Sequence, residues 1–333
     1  VNGPLQRRGL PWLLAVAVFV AGALALYANG LHGPFHYDDH HGIVDNPYLR
    51  DLGNIPEFFT STRYFSPSEP TARHYRPLLL ASYALNFSLG GESPVGFHVY
   101  NALLHAAGSL VLAALALALG LPAPLAWGAG LLFLAHPLNT EAVDYASARS
   151  SLQSGVFTLL ALYGFIRFRR AARRGGIWLG ISLAAAAVAV LSKEVAVVIP
   201  ALYVLYDLLY PPPRGAWRSW RGYGMHGAFF AVGTAVLVAS GHLTYFLKMA
   251  MGKVNGPRGV FDNLWLQAQV LVDYVRLTVF PVGLSIVHDF HGAAAPTPAS
   301  IGAAVGLIGV TALAVRFARA VPGAALGWFL FLI

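Results

Sequence analysis

Between Pro34 and Asp45 the chain reads PFHYDDHHGIVD, with two adjacent carboxylates, Asp38 and Asp39, set among His36, His40 and His41. A carboxylate held near a bound hydroxyl can act as a general base. The pair follows directly on an apolar run, Leu10 to Ala28, that is long enough to cross a bilayer, and charge so close to hydrocarbon is costly unless it has a task. Two other readings stay open. Asp38, Asp39 and His40 could hold a divalent cation, although their spacing matches no zinc signature, or the segment could be a solvated turn with Asp39 capping a short helix.

Four more polar islands interrupt apolar sequence. In Arg73-His74-Tyr75-Arg76-Pro77, two guanidinium groups suit a phosphate, either at a specific site or on lipid head groups. His98, Asn101 and His105 are spaced by three and four residues and share one helical face; they could touch a ligand or bond to neighbouring helices. His136, Glu141 and Arg149 could contact substrate, or Glu141 and Arg149 could pair with each other. Lys193 can attract an anionic head group, while Glu194 neutralises it or caps the next helix. Tyr274, Arg276, His288 and Asp289 are further candidates.

The elements that must carry these residues are membrane helices. Of the 333 residues, 57% are hydrophobic and 11% charged, which describes an all-α polytopic membrane protein. The net charge of +8 does not point to nucleic acid, because the basic residues lie in loops between apolar segments. With no cysteine, disulfides and thiol catalysis are excluded. After Leu10 to Ala28, expected to be a retained span starting inside the cell, candidate spans are His98 to Leu119, Leu125 to Leu138, Leu152 to Phe168, Ile177 to Leu191, Val195 to Tyr210, His226 to Leu247, Ile301 to Val315 and Ala324 to Ile333.

Arg167, Arg169, Arg170, Arg173 and Arg174, then Arg214, Arg218 and Arg221, place two loops in the cytoplasm. The same count puts residues 29–77, 139–150, 192–194 and 248–262 together on the outer face. Ile55, Phe58 and Phe59 give the first outer loop an apolar face suited to an interfacial helix. Asn263 to Phe280, with Trp265 and Tyr274, reads as an interfacial or re-entrant helix in a second outer loop, 248–298. The Ala-rich stretches at 112–118 and 184–189 suit close helix packing.

Taken in order, FHYDDHHGIVDNP, HYRPLLLASYALNFSLGGESPVGFHVYNALLH, LFLAHPLNTEAVDYASARSSL, LSKEVAVVIPALYVLYD and QAQVLVDYVRLTVFPVGLSIVHDF resemble the membrane portion of the transmembrane and tetratricopeptide-repeat O-mannosyltransferases and their bacterial relatives. The resemblance covers most of residues 34–291. It implies a C-type (GT-C) glycosyltransferase fold over residues 1–333, with interfacial helices in the first outer loop. It implies a polyprenyl-phosphate-linked sugar as donor, a protein or glycan acceptor, and no cofactor. The site would face the periplasm or exterior of a bacterial plasma membrane. Asp38 matches the family's catalytic acidic position, with Asp39 as partner, and His74, Arg76, Lys193 and Glu194 match polar positions facing the donor phosphate. Asn139 stands where the family pattern has a second histidine. These 333 residues contain no tetratricopeptide repeats, so an acceptor-selecting domain is expected beyond Ile333. A competing class is a secondary transporter or lipid flippase, whose charges would gather near the bilayer midplane in repeated halves.

Overall fold

The computed structural model describes residues 9–69, 74–171, 175–211, 220–239, 260–285 and 296–332. Among these the regular structure is entirely helical. The chain forms two compact units, Val1–Ile199 and Pro200–Ile333. Arg73, Arg173, Arg174, Arg214, Arg218, His288, Asp289 and nearly all of the expected 248–262 outer segment lie outside the described residues.

The first unit contains α1 (Gly9–Leu26), α2 (Ile55–Phe58), α3 (Pro77–Gly90), α4 (Pro94–Leu119), α5 (Ala123–Ala135), α6 (Thr140–Asp144), α7 (Arg149–Arg170) and α8 (Gly175–Ser192). Four described helical segments in the whole chain, Pro94–Leu119, Ala146–Arg170, Gly175–Ser192 and Pro298–Arg316, are long and apolar enough to cross a membrane. Large apolar side chains such as Leu13, Leu89, Leu132 and Ile177 face outward, as lipid-facing residues do.

Proline and glycine set the helix limits. Pro77 and Pro94 each open a helix, where their missing N–H is no loss. Gly120, at φ 98°, ends α4 by donating its N–H to the Ala116 and Leu117 carbonyls. The expected span Leu125 to Leu138 is cut short. Pro137 pushes His136 into extended backbone, since a residue before proline avoids the helical region, and α5 stops at Ala135 after 13 residues. At 1.5 Å per residue that is about 20 Å, short of a hydrocarbon core of about 30 Å. Val195 to Tyr210 is likewise not one helix: a 3-10 segment over Glu194–Val198 precedes α9 (Ile199–Leu209).

Pro77–Gly90, absent from the expected spans, forms the 14-residue α3. It is the floor on which the first loop folds. Ile43, Leu49, Phe58, Tyr64 and Phe65 from the loop pack with Leu79, Leu80, Tyr83 and Phe87 of α3 and with Phe97 of α4. The expected loop helix is only the four residues of α2, with Phe58 buried and Phe59 exposed. Asn46, fully buried, fastens the loop by donating to the Tyr64 carbonyl at 2.8 Å and accepting from the Tyr48 N–H at 3.2 Å.

His98, Asn101, His105 and Ser109 are buried along one side of α4. Helix ends leave carbonyls without intrahelical partners, and this stripe engages them. His105 bonds to the Leu134 carbonyl at 3.2 Å, where α5 ends, and Asn101 donates to the Val143 carbonyl at 3.2 Å, where α6 ends. The contacts therefore match bonding to neighbouring elements. Ala185, Ala186 and Ala189 are buried on α8, and Gly164 of α7 approaches Ser182 of α8 so closely that an added Cβ would lie 3.0 Å from the Ser182 nitrogen.

In the second unit, α10 (Trp220–Ala239), α11 (Val260–Val279), α12 (Pro298–Arg316) and α13 (Pro322–Leu332) follow α9. Gln269 of α11 donates to Thr297, which caps α12, and Trp328 of α13 donates to Thr311 of α12 at 3.0 Å. Tyr274 is exposed on α11, and Arg276 pairs with Asp273 at 2.7 Å.

A Cβ added at Gly130 would lie 2.8 Å from the Ser109 carbonyl oxygen and 3.1 Å from the Phe19 ring, whereas one at Gly128 would meet nothing within 4 Å. Gly130→Val is expected to cost about 1–3 kcal/mol, as overpacking does, and to lower the thermal midpoint in detergent. Gly128→Val is expected to leave that midpoint within a degree or two.

Candidate functional site

The first loop, α3 and the segment just before α7 meet around a cavity of about 120 Å³. Asp38, His41, His74, Arg76 and Ser147 supply its polar wall; Gly42, Phe65, Leu79 and Tyr83 supply the rest. Pockets that enclose whole small molecules usually measure about 300–1,000 Å³, so this one suits the reacting part of a larger ligand.

The two adjacent aspartates have separate environments. Asp39 is 1% exposed. One of its oxygens accepts from the Ser147 N–H at 2.7 Å and the Ser147 hydroxyl at 2.5 Å, and the other from the His36 N–H at 3.0 Å. Hydrogen bonds to a charged group contribute about 1.5–3 kcal/mol each, so Asp39 is a strong tie between the first loop and the segment before α7. The Asp38 side chain is 70% exposed, and one of its oxygens lies 3.4 Å from His41 Nε2. Its backbone N–H donates to the Tyr145 oxygen at 3.1 Å. Burial above all, with the Asp38 and Asp39 charges adding, pushes the Tyr145 hydroxyl up to about 12, so it stays protonated at neutral pH.

The turn that separates the aspartates is strained. Tyr37 has φ 46°, a left-handed conformation that costs a bulky residue of order 1–3 kcal/mol. The bonds from the His36 N–H to Asp39, from Asp38 to Tyr145 and from Asp39 to the His36 carbonyl at 2.9 Å pin both sides. His40 and His41 continue into a π-helical turn, His40–Val44. His40 is exposed. Among the described residues no three His, Cys, Asp or Glu side chains are grouped as a metal would require.

Arg76 and Glu194 form a two-pronged ion pair, Nε to Oε2 at 3.1 Å and Nη2 to Oε1 at 2.9 Å. Glu194 lies outside the cavity lining, and Arg76 and His74 within it. His74 Nδ1 is 3.8 Å from the same carboxylate, and the Phe65 ring meets His74 edge-on at 5.2 Å and lies 5.5 Å from the guanidinium. Burial pushes the Glu194 carboxyl up, but the hydrogen bonds and charge of Arg76, with help from His74, outweigh it and lower the carboxyl to about 2. Lys193 points elsewhere: its ammonium donates to the Ser151 hydroxyl at 2.6 Å. Burial, then the charge of Arg76, lowers its pKa.

Arg149 is 0% exposed. It donates to Asn101 Oδ1 at 2.8 Å, Ser82 Oγ at 3.2 Å and the Phe97 carbonyl at 3.1 Å, and its guanidinium carbon lies 4.8, 5.2 and 4.2 Å from the Tyr83, Phe97 and Tyr100 ring centres. The alternative ion pair with Glu141 is not formed, and Glu141 is exposed at the start of α6. His98 bonds to the Gly33 carbonyl at 3.1 Å, and His136 accepts the Leu138 N–H at 3.2 Å. The structure thus brings Asp38, His74 and Arg76 to the cavity, with Asp39 and Glu194 in direct contact with its lining. Lys193, Arg149, Asn101, His98, His136 and Glu141 are not in the cavity wall, although Arg149 packs behind it on the Tyr83 ring. That wall also contains His41, and Ser147, Phe65 and Tyr83, which sequence reasoning does not single out. His41 was visible in the acidic motif and Ser147 in the segment VDYASARSS.

Comparison with known proteins adds a second line of evidence. The chain is 34% identical over 205 residues to protein O-mannosyl-transferase Tmtc1 of Drosophila melanogaster, which covers 61% of the chain. It is 33% identical over 202 residues to TMTC2 of Mus musculus and 30% over 221 residues to TMTC4 of Homo sapiens, covering 59% and 60% of the chain. About three fifths of the chain is similar to protein O-mannosyl-transferases. The matches span 24%, 24% and 30% of those proteins' own lengths. No family model and no solved structure matches the chain.

Because the Glu194 carboxyl lies below its ordinary value of 4.5, its ion pair contributes stability that is fully present above about pH 4.5 and is lost as pH falls towards about 2. The Glu194→Gln variant is expected to melt lower than wild type at neutral pH, and the gap between their thermal midpoints should shrink steadily below pH 4.5.

Proposed function

We propose that this chain is the membrane-embedded catalytic part of a glycosyltransferase that moves a hexosyl group, mannose-like, from a polyprenyl-phosphate carrier to a protein hydroxyl. The observation that carries the reading is the isolation of Asp38. It is the only acidic residue in the cavity lining among the described residues, it is exposed on its other side, and it faces a wall containing Arg76 and His74. That is the arrangement a displacement at an anomeric carbon needs. The acceptor oxygen attacks and its proton passes to an Asp38 carboxylate oxygen. The new C–O bond forms as the bond from the anomeric carbon to the phosphate oxygen breaks, and the electron pair leaves with the lipid phosphate. Attack opposite the leaving group inverts the anomeric centre. Such proton transfer contributes about 10² to 10⁴ in rate, and a cation placed on the developing phosphate charge contributes a comparable factor.

In this scheme Arg76 and His74 hold the phosphate. Glu194 fixes the Nε and Nη2 edge of Arg76, while Nη1 donates to the Ser150 hydroxyl at 3.5 Å, the longest of the three contacts and the one a phosphate oxygen would replace. Asp39 anchors the turn and is not the base, and Lys193 acts beside the site rather than within it. The fold would belong to the C-type glycosyltransferase class, with residues 29–77 as an outer cap and 248–298 as a second outer loop. The basic ends support a site on the outer face. Arg149 and Arg170 bound α7, a rise of about 31 Å, close to the thickness of a bilayer core. In this reading the Arg167, Arg169 and Arg170 cluster is the cytoplasmic end of α7, opposite the cavity. In a bacterium, the reading puts the reaction at the periplasmic or exterior face of the plasma membrane. The names of the matched relatives support mannose and a protein acceptor.

Transfer from radiolabelled polyprenyl-phosphate mannose by the full chain tests the reading. Asp38→Asn is expected to lose at least about 100-fold in transfer while still binding donor. Wild-type transfer by Asp38→Asn would contradict the assignment, and a folded wild type that neither binds donor nor transfers sugar would favour a transporter.

A further inference from the structure

Tyr37 precedes the candidate base and is the one non-glycine residue among the described ones in the left-handed backbone region, φ 46°. The residue is 64% exposed. The nearest rings are Tyr145, met edge-on with centres 6.4 Å apart, and His36, also at 6.4 Å. The fold therefore gains little burial from this ring and would be less strained with glycine at the position. A bulky residue kept in a strained, solvent-facing place beside a reacting group is characteristic of a ligand contact.

Asp38 fixes which ligand. The cavity holds only the reacting part of a donor, and Tyr37 is absent from its lining. A base must touch the acceptor hydroxyl, so with the donor behind Asp38 the acceptor arrives from the exposed side, where Tyr37 stands. An aromatic ring with two torsions offers broad contact area at low entropic cost. We infer that Tyr37 is an acceptor platform: its ring packs against the polypeptide segment that carries the serine or threonine hydroxyl, while the pinned turn holds it next to Asp38. This inference rests on the glycosyltransferase reading and adds the side from which the acceptor docks and the residue that receives it.

The test uses the full chain in nanodiscs, radiolabelled polyprenyl-phosphate mannose, and a short serine- and threonine-containing peptide as acceptor. Peptide transfer and hydrolysis of the donor by water are measured in the same reaction. Tyr37→Phe is expected to keep the wild-type ratio of transfer to hydrolysis. In Tyr37→Gly and Tyr37→Ala the ratio should fall about tenfold, mainly through a higher peptide KM, the size expected for losing one aromatic contact. Tyr37→Gly should also melt at or above the wild-type temperature, because glycine relieves the strain. An unchanged ratio in Tyr37→Gly would overturn the inference, as would weakened donor binding with normal peptide KM, which would assign the ring to the transferred sugar. A folded wild type with neither hydrolysis nor transfer would instead remove the glycosyltransferase reading itself.

Discussion

A guanidinium enclosed by three aromatic rings, with no carboxylate partner among the described residues, is the constraint on which the site depends. Taking a charge out of water costs several kcal/mol. Arg149 offsets this with hydrogen bonds to Asn101, Ser82 and the Phe97 carbonyl, about 1.5–3 kcal/mol each, and with ring contacts that strengthen when desolvated. These partners lie on α3 and α4, and Arg149 itself opens α7. Closing this one shell fixes three helix starts together. Ser147, which holds Asp39, is two residues before Arg149, and Arg76 is the residue that caps α3.

From that base, positions follow in sequence. Ser147 captures Asp39, Asp39 closes the turn on His36, and the turn leaves its neighbour Asp38 outside at the cavity rim. Glu194, arriving from the end of α8, holds Arg76 by one edge and sits near His74. The carboxylates are thereby separated into one that faces the cavity and two that support it. Arg76 and His74 thereby share the cavity wall with Asp38, and strain is concentrated at Tyr37, which precedes Asp38 outside that wall.

The membrane class and the convergence of three polar segments were legible in the sequence, because charged residues stand out in an apolar chain and loop arginines orient it. The difference between Asp38 and Asp39 was not. Adjacent residues of one type look alike until a partner 108 positions away selects one. For Arg149, at the outer end of a span, the sequence offers substrate contact or a pair with Glu141, and neither is formed because its partners are uncharged groups that no charge pattern reveals. Lys193 and Glu194 diverge for the same reason as the aspartates, each taking a distant partner, Ser151 and Arg76. α3 escaped the list of spans because it is only 14 residues long, and α5 was overextended because Pro137 acts on the residue before it.

In the proposed scheme the neighbouring aspartates have different duties, Asp38 towards the substrate and Asp39 towards the fold. A cryo-EM structure of the Asp38→Asn variant with polyprenyl-phosphate mannose bound tests it most directly. The expected structure has the phosphate within hydrogen-bonding distance of Arg76, the anomeric carbon facing residue 38, and Asp39 still bonded to Ser147. A phosphate remote from Arg76, or Asp39 released from Ser147 and turned towards the sugar, would contradict it.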